Sequence, residues 1–352
     1  MDSRELRETF IKIYEGEESG IRAFFASPSV RLCGLNLPGF DCAVTAISPA
    51  TTAVIRRSEK DFFRIIKSDS DIMYRCRNDM LKQYNEKESV KKLFEAIGLL
   101  KGELRGADIL LVNSTDDTAF QTNLYALGTA VAILSGNRMP AVNEMESIAD
   151  NSDLMDSITE SFLSAKKDSV MFRHKDGKCE TVPFYLSDYK LIVFKIIASR
   201  EDIVPQVHSA ASRILHGKSA AQPDKYERYC INEQKRAERL LGVLKNNPAP
   251  TEALANVLKE SSFDLFSLCG RYGTALYSLY SAAEESGQTG FIAAAYDLGG
   301  ICAAVKNGYV DEYIKNVSDL YESREGSKPD IYICASAGSG EELDLRDITV
   351  VL

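Results

Sequence analysis

A serine and an arginine in the segment 24–44, FFASPSVRLCGLNLPGFDCAV, are residue types that contact phosphate and sugar oxygens. Ser29 and Arg31 are two positions apart. In a β-strand their side chains would share one face, with Cα atoms roughly 6.6 Å apart. The alternative is an ordinary strand arginine that faces solvent or forms a salt bridge. The spacing therefore places the Ser29 and Arg31 side chains on one face of the predicted strand.

Cysteine and histidine lack the spacing of a metal site in this chain. The eight cysteines include no C-x-x-C pair, and several lie in apolar runs such as 331–334. Free buried thiols in a reducing compartment fit that pattern. The three histidines, His174, His208 and His216, have no partner at ligand spacing. We expect no metal site of this kind and a cytoplasmic location.

The composition is that of a globular protein with two domains. A chain of 352 residues is too long for one ordinary hydrophobic core. The net charge is -9 and the basic residues are scattered, which argues against a nucleic-acid or anionic-membrane partner. No apolar stretch is long enough to span a membrane, and the N-terminal residues lack the apolar core of a signal peptide.

The hydrophobic periodicity predicts mixed strands and helices up to about residue 200, and mainly helices after it. The predicted N-terminal elements are a helix over 4–16, strands at 21–25 and 44–55, a helix over 89–101, a strand at 107–112, a buried helix over 122–134, a hairpin of 169–173 with 181–185, and a strand at 190–198. The predicted C-terminal elements are helices across 201–285, then strand, helix and strand at 299–305, 310–321 and 330–336. This order indicates a two-domain α+β protein with domains 1–200 and 201–352.

Five segments, taken in chain order, resemble motifs of the galactokinase branch of the GHMP small-molecule kinases. The segment 24–44 is similar to the sugar signature A-P-G-R-V-N-L-I-G-E-H-T-D, 228–247 to the helix R-H-V-x-x-E-x-x-R, 257–273 to L-M-x-E-S-H-x-S-L, 289–305 to G-A-R-x-T-G-x-G-F-G-G-C, and 309–343 to the closing helix and strand. The matching residues are Ala26, Val30, Leu32 and Gly34; Arg228, Glu233 and Arg236; Glu260, Ser261 and Leu265; and Gly290, Gly299 and Gly300.

The resemblance implies an N-terminal α+β domain and a C-terminal ferredoxin-like domain with extra helices. It also implies ATP and Mg²⁺ as cofactors, a small sugar and a nucleotide as ligands, and no nucleic-acid or membrane partner. The reaction would be ATP-dependent phosphorylation of galactose or a related hexose at its anomeric hydroxyl.

The sugar signature departs from the family at the positions that do its chemistry. The arginine that stabilises the transferred phosphoryl group falls on Ser29, and the Glu-His pair that binds sugar hydroxyls falls on Leu35-Asn36. Leucine cannot accept a hydrogen bond from a hydroxyl. By resemblance the substrate-binding positions are Ser29, Asn36 and Asp41, with Arg31 as a relocated catalytic arginine.

The phosphate motif, a glycine-rich turn before a helix, falls on 113–131, where its glycines are replaced by Ala119 and Gln121. Asp116 and Asp117 lie just upstream, where their carboxylates would repel a polyphosphate unless Mg²⁺ intervened. The nucleotide-binding positions implied by the resemblance are Thr122, Asn123, Ala126, Gly299 and Gly300. The alternative is a plain buried helix with Thr122 or Asn123 as its N-cap.

The general base of the family is an aspartate, and its position falls on Glu160. A glutamate can take the proton, but its extra methylene displaces the carboxylate by more than ~1 Å, a shift that can cost about 100-fold in rate. The alternative is an ordinary helix carboxylate. Glu160 and Arg31 are thus the two candidate catalytic residues.

Three hypotheses follow. The first is a galactokinase-like protein without catalysis that acts as a sugar or nucleotide sensor or as an interaction protein. The second is a working sugar kinase with a re-made site built on Glu160 and Arg31. The third is an unrelated α+β protein, which would have a different strand order.

Overall fold

The computed structural model describes residues 3–27, 29–35, 37, 39–48, 50–68, 70–85, 88–112, 119–136, 166–196, 203–218, 222–270, 273–295, 299–338 and 341–343. In chain order the elements are α1 (Ser3–Tyr14), β1 (Ile21–Ala26), β2 (Ser29–Gly34), β3 (Cys42–Ala46), β4 (Thr51–Arg57), β5 (Phe62–Lys67), β6 (Met73–Arg77), a 3₁₀ helix (Asn78–Gln83), α2 (Glu88–Leu100), β7 (Ala107–Val112), α3 (Ala119–Gly136), β8 (Ser169–Arg173), β9 (Cys179–Pro183), β10 (Tyr189–Lys195), α4 (Ile203–Leu215), α5 (Lys225–Asn246), α6 (Glu252–Ser267), α7 (Ala275–Ser286), β11 (Thr289–Ala295), β12 (Gly300–Lys306), a 3₁₀ turn (Asn307–Tyr309), α8 (Val310–Glu325), β13 (Asp330–Cys334) and β14 (Glu341–Leu343).

The chain divides into two compact units. The first contains Met1–Ser29, Ser48–Ser164 and Gly338–Leu352, and the second contains Val30–Ile47 and Ala165–Ala337. The predicted domain boundary near residue 200 does not coincide with a junction between these units. The physical reason is that β10 pairs with β12 and β13, so residues 189–195 pack with the C-terminal part of the chain.

The first unit is built on a six-stranded sheet in the order β14-β1-β4-β7-β5-β6. The β5–β7 pair is parallel and the other pairs are antiparallel. Alternate residues of β4 face opposite sides, as strand geometry requires. Ala53 and Ile55 belong to the core with α2 and α3, while Val54 belongs to the core with α1. The sheet is therefore covered by helices on both faces.

The second unit contains two four-stranded sheets, ordered β11-β12-β10-β13 and β2-β3-β8-β9. The first of these is antiparallel throughout, and its strands occur along the chain as β10, β11, β12 and β13. One helix, α8, connects β12 to β13, and four helices, α4 to α7, connect β10 to β11. This is the ferredoxin-like arrangement with extra helices that the resemblance implied.

Most predicted elements are confirmed, including α1, α2, β7, α3 and the β8–β9 hairpin. The single strand predicted over 44–55 is wrong. The chain forms β3 and β4 there, and these strands belong to different sheets. Between them, the Ala46 carbonyl accepts a hydrogen bond from the Ala337 amide and Ile47 bridges Ser336, so the backbone leaves β3 before β4 begins.

The predicted N-cap of the buried helix is also wrong. Helix α3 begins at Ala119, so Thr122 and Asn123 lie inside its first turns rather than at its cap. The helix is apolar around most of its surface, and its buried residues from Ala126 onward pack in the core with α2 and β4.

Candidate functional site

The turn between β2 and β3, residues 34–41, carries the segment that resembles the sugar signature. Gly34 begins the turn with φ +86°, and a Cβ atom there would lie 2.2 Å from the Asp41 carbonyl oxygen. The Leu35 amide donates to the same carbonyl at 3.0 Å. Only glycine combines this backbone conformation with so close an approach. Gly34 is therefore explained by the geometry of the turn itself.

Two consecutive side chains of α5 hold the two ends of this turn. The Glu233 carboxylate accepts a hydrogen bond from the Gly34 amide at 3.1 Å. The Gln234 side-chain carbonyl accepts one from the Asp41 amide at 2.8 Å. Glu233 is completely buried. Helix α5 thus fixes the turn at both its first and last residue.

The buried charge of Glu233 is compensated by Arg236, one helical turn further along α5. Arg236 Nη1 donates to Glu233 at 2.7 Å, and Arg236 Nη2 forms an ion pair with Asp264 of α6. The Asn232 side-chain amide also donates to Asp264, at 2.8 Å. A buried carboxylate is tolerated only when it is paired in this way. Glu233 and Arg236, which match the family helix, therefore have a structural role here.

Cys33 lies against the same carboxylate, with its Sγ 3.7 Å from Glu233 Oε2. Burial and the negative charge of Glu233 raise the pKa of the Cys33 thiol well above its ordinary value. The thiol therefore stays protonated and donates to the carboxylate. This is the opposite of the environment that activates a nucleophilic cysteine.

The candidate phosphate contact Arg31 is buried, with 5% of its surface exposed. Its Nη1 donates a hydrogen bond of 2.6 Å to the Gly34 carbonyl. Ser29, at the position of the family arginine, is also buried at the start of β2. The Arg31 guanidinium is therefore engaged with the turn of its own segment.

Asp41, a candidate sugar ligand, is buried and accepts a hydrogen bond from the Lys175 amide at 2.6 Å. Lys175 lies in the tight turn of the β8–β9 hairpin. Arg173 of the same hairpin donates to the Leu37 carbonyl at 3.0 Å. The hairpin thus holds the 34–41 turn from a second direction, and the Asp41 carboxylate serves that contact.

The two glycines of the third motif have packing roles. A Cβ atom on Gly300 would lie 2.1 Å from the Phe194 carbonyl oxygen of β10. Gly299 has φ +66°, and its carbonyl accepts a hydrogen bond from the Ile196 amide at 3.0 Å. Close approach of β12 to β10 requires glycine at Gly300, and the positive φ favours glycine at Gly299. Ala126 is completely buried within α3.

The remaining candidates cannot be placed in the same detail. Glu160 and Asn36 lie outside the described residues, as do Asp116 and Asp117. Thr122 and Asn123 are placed only as backbone positions in α3. The structure thus brings Ser29, Arg31 and Asp41 onto one β2–β3 segment.

Several positions that the resemblance implies for ATP and Mg²⁺ lie outside the described residues. Among the residues that are described, no group of three or more histidine, cysteine, aspartate or glutamate side chains is arranged to hold a metal ion. The Gly299 carbonyl accepts a hydrogen bond from the Ile196 amide, and Gly300 packs against the Phe194 carbonyl. No reaction step through ATP or Mg²⁺ follows from these residues.

Sequence patterns did not reveal two partners of the turn, Gln234 and Lys175, or Asp264, which pairs with Arg236. For Asp264, spacing offers a signal, since it lies four residues after Glu260 on the same face of α6. The sequence gives no signal for Gln234, because a polar residue on an amphipathic helix is expected to face solvent. Lys175 contributes only its backbone amide.

The fold resembles several solved structures of small-molecule kinases. Lactococcus lactis galactokinase, solved in complex with galactose, matches with a TM-score of 0.81 at 15% identity, over 97% of this chain and 99% of that one. Methanococcus jannaschii mevalonate kinase matches with 0.65 at 12% identity, over 90% and 98%. Homoserine kinase from Cytophaga hutchinsonii matches with 0.58 at 13% identity, over 94% and 99%.

No family model matches the chain, and no curated protein matches it. The chain therefore has the fold of the GHMP small-molecule kinases, and the resemblance inferred from its motifs is confirmed at the level of the fold. The different fold expected of an unrelated α+β protein is not found, because the match to the galactokinase structure extends over nearly the whole of both chains. No helix among the described residues is long and apolar enough to cross a membrane.

Proposed function

We propose that this chain is a galactokinase-like protein that does not transfer phosphate and instead acts in the cytoplasm as a non-catalytic sugar or nucleotide sensor or interaction protein. The observation that carries the proposal is the contact of Arg31 with the Gly34 carbonyl at 2.6 Å. With Ser29 at the position of the family arginine, Arg31 is the nearest replacement on the strand. Its guanidinium is buried and occupied by the protein backbone.

Phosphoryl transfer depends on positioned charge, so the loss of this arginine matters greatly. Removal of one preorganised charge or hydrogen-bond donor typically costs about 100- to 1,000-fold in rate. For Arg31 to serve, its guanidinium, which is buried and gives one N–H to the Gly34 carbonyl, would have to leave its buried position to reach a phosphate. This cost supports the loss of catalysis.

The sugar-binding positions argue in the same direction. Leu35 replaces a hydrogen-bonding residue and is packed in the core with Phe194 and Tyr229. Asp41 is engaged with the Lys175 amide. A site built to bind hydroxyl groups discriminates strongly only when its polar partners are present. Galactose specificity of the family kind therefore has little support in these residues.

The test is calorimetry and thermal unfolding with Mg-ATP and galactose, added singly and together. A ligand with Kd ~0.1 mM at ~2 mM stabilises the fold by about 1.8 kcal/mol, which is readily detected. A non-catalytic protein gives no sugar phosphate and no stabilisation beyond that of the separate ligands. A working kinase gives product and mutual enhancement of the two ligands. Loss of that product on Glu160→Gln and Arg31→Ala would establish the re-made site instead.

A further inference from the structure

Arg173, the last residue of β8, is a buried arginine without a carboxylate partner among the described residues. Only 8% of its surface is exposed. Its Nη2 donates a hydrogen bond to the Leu37 carbonyl at 3.0 Å, and its Nε is enclosed without a hydrogen-bond partner. An arginine side chain is always charged in a protein, and buried charges are normally paired. The charge of Arg173 therefore lacks the partner that its burial calls for.

Arg236 shows how the same unit accommodates a buried arginine that supports the fold. It is 7% exposed, nearly the same as Arg173. Glu233 and Asp264 both form ion pairs with it, so its charge is balanced inside the protein. The two arginines are equally buried but differ in their carboxylate partners. Burial in the fold alone therefore does not explain Arg173.

The described carboxylates of this region have other partners. Asp176 and Glu180 of the β8–β9 hairpin form ion pairs of 2.8 Å with other side chains. Asp41 accepts a hydrogen bond from the Lys175 amide at 2.6 Å. None of these three carboxylates forms an ion pair with Arg173. An anion that comes from solution can therefore take the place of the missing partner.

Arg173 lies against the 34–41 turn, the segment that resembles the sugar signature. Leu37, whose carbonyl accepts its hydrogen bond, is half-buried, so a small ligand can approach this end of the guanidinium from solvent. At position 35 of the same turn, a leucine packed in the core replaces a residue that binds sugar hydroxyls in the family. A guanidinium is a planar set of donors that matches the oxygens of a carboxylate or a phosphate. The turn has therefore lost a partner for a neutral sugar and has a cation beside it.

We propose that the 34–41 turn binds a small acidic sugar, one that carries a carboxylate or a phosphate group, and that Arg173 contacts this negative group. The inference rests on the proposed function in placing a sugar at the turn, and it names the chemical class of that sugar. Hydrogen bonds between charged groups are stronger than those of a neutral hydroxyl. Arg173 is thus a specificity-determining residue that favours an acidic sugar over a neutral hexose.

The test is calorimetry without ATP, with galactose, galacturonate, galactose 1-phosphate and inorganic phosphate as separate ligands. We expect at least one of the two acidic sugars to bind at least about tenfold more tightly than galactose. Comparison of the two distinguishes a carboxylate from a phosphate. The affinity should fall at least about tenfold on Arg173→Met. It should fall less on Arg173→Lys, which keeps the charge but loses the planar donors.

Urea unfolding without ligand separates a binding arginine from a structural one. Arg173→Met should unfold at the same urea midpoint as the parent chain or at a higher one, because it removes a buried charge that has no carboxylate partner. Arg236→Met is the matched control. It should lower the midpoint, because it leaves the carboxylates of Glu233 and Asp264 without their arginine. Equal losses for the two variants would show that Arg173 supports the fold and would overturn the proposal.

Three binding results would also overturn the proposal. They are no binding of either acidic sugar, binding that Arg173→Met leaves unchanged, and binding of inorganic phosphate as tight as that of the acidic sugars. These measurements contain no ATP, so they do not depend on phosphoryl transfer. Failure to bind an acidic sugar is therefore a separate result from the detection of kinase activity, which would overturn the proposed function.

Discussion

The carboxylate of Glu233 accepts a hydrogen bond from the amide of Gly34 at 3.1 Å, across 199 positions of sequence. Each residue belongs to a different motif that resembles the galactokinase branch. In this chain the contact between the two motifs holds a backbone turn. The geometry of the turn therefore depends on both residues.

The first prediction concerns Glu233. Glu233→Ala leaves the buried Arg236 without one of its carboxylate partners and the Gly34 amide without an acceptor, so unfolding free energy should fall by about 3–5 kcal/mol. Glu233→Gln keeps an acceptor for the amide and should cost less than Glu233→Ala. Urea unfolding measures both. The contradicting result is a loss of unfolding free energy for Glu233→Ala no larger than that for Glu238→Ala, a substitution at an exposed residue. The Glu233–Gly34 contact would then be unimportant for stability.

The second prediction concerns Gly34. Gly34→Ala should destabilise by about 2–4 kcal/mol, because it combines a positive φ with a contact to the Asp41 carbonyl. Gly177→Ala is a matched control, since Gly177 has φ +83° and no atom lies within 4 Å of the position that a Cβ would take. It should cost only about 1–2 kcal/mol. Equal costs for the two variants would show that the close approach of Asp41 is unimportant.

Much of the fold could be predicted from the sequence, and the reasons are local. The apolar run of β7 and the amphipathic pattern of α5 specify their structures within a few residues. Strands β5 and β6 were not predicted. β6 is the edge strand of the six-stranded sheet, and its residues are mostly exposed, so it carries no apolar pattern. The strand pattern of residues 44–55 is continuous in the sequence. The break between β3 and β4 arises because each strand pairs with distant strands of a different sheet.

The candidate site was less predictable than the fold. Motif positions located the 34–41 turn, but they could not show that Arg31 bonds to the Gly34 carbonyl or that Asp41 bonds to the Lys175 amide. In each contact one partner is a backbone atom. Every residue has backbone atoms, so the residue type does not indicate such a contact. A buried polar residue therefore looks like a ligand-binding residue until its partner is located.

The third prediction concerns Asp108 in the first unit. This buried carboxylate accepts hydrogen bonds from Arg64 Nε at 2.7 Å and Arg56 Nη2 at 3.1 Å. Asp108→Ala should cost about 3–5 kcal/mol, because it leaves two guanidinium groups without their shared partner. Asp319→Ala removes the partner of Lys315 in an exposed pair and should cost under about 0.5 kcal/mol. Thermal and urea unfolding measure the loss of unfolding free energy in both variants. A loss for Asp108→Ala as small as that for Asp319→Ala would show that the contacts of Asp108 with Arg56 and Arg64 are unimportant for stability.

The fourth prediction is a loss of stability at alkaline pH. Burial raises the pKa of the Cys230 thiol to about 12 and that of Cys334 to about 12. In the unfolded chain a thiol releases its proton near pH 8.5, so the folded state binds more protons above that pH. The contribution is fully present below pH 8.5 and decreases as pH rises, by about 1.4 kcal/mol per thiol at pH 9.5.

Urea unfolding at pH 7 and pH 9.5 measures this loss. Cys334→Ala should be less stable than the parent chain at pH 7 but should show a smaller decrease between the two pH values. Cys179 is the exposed comparison: burial raises the pKa of its thiol less than that of Cys334, so Cys179→Ala should change the pH dependence less than Cys334→Ala. The explanation fails if Cys334→Ala and the parent chain lose the same free energy over this interval.

The measurement that tests the central claim most directly is sugar-dependent phosphoryl transfer from Mg-ATP, followed by phosphorus NMR, with galactose and a panel of related hexoses. We predict no sugar phosphate above the level formed without protein, and the same result for the parent chain, Arg31→Ala and Glu160→Gln. Formation of a hexose 1-phosphate by the parent chain, at a rate that falls at least about 100-fold in either variant, would contradict the account and identify a working kinase.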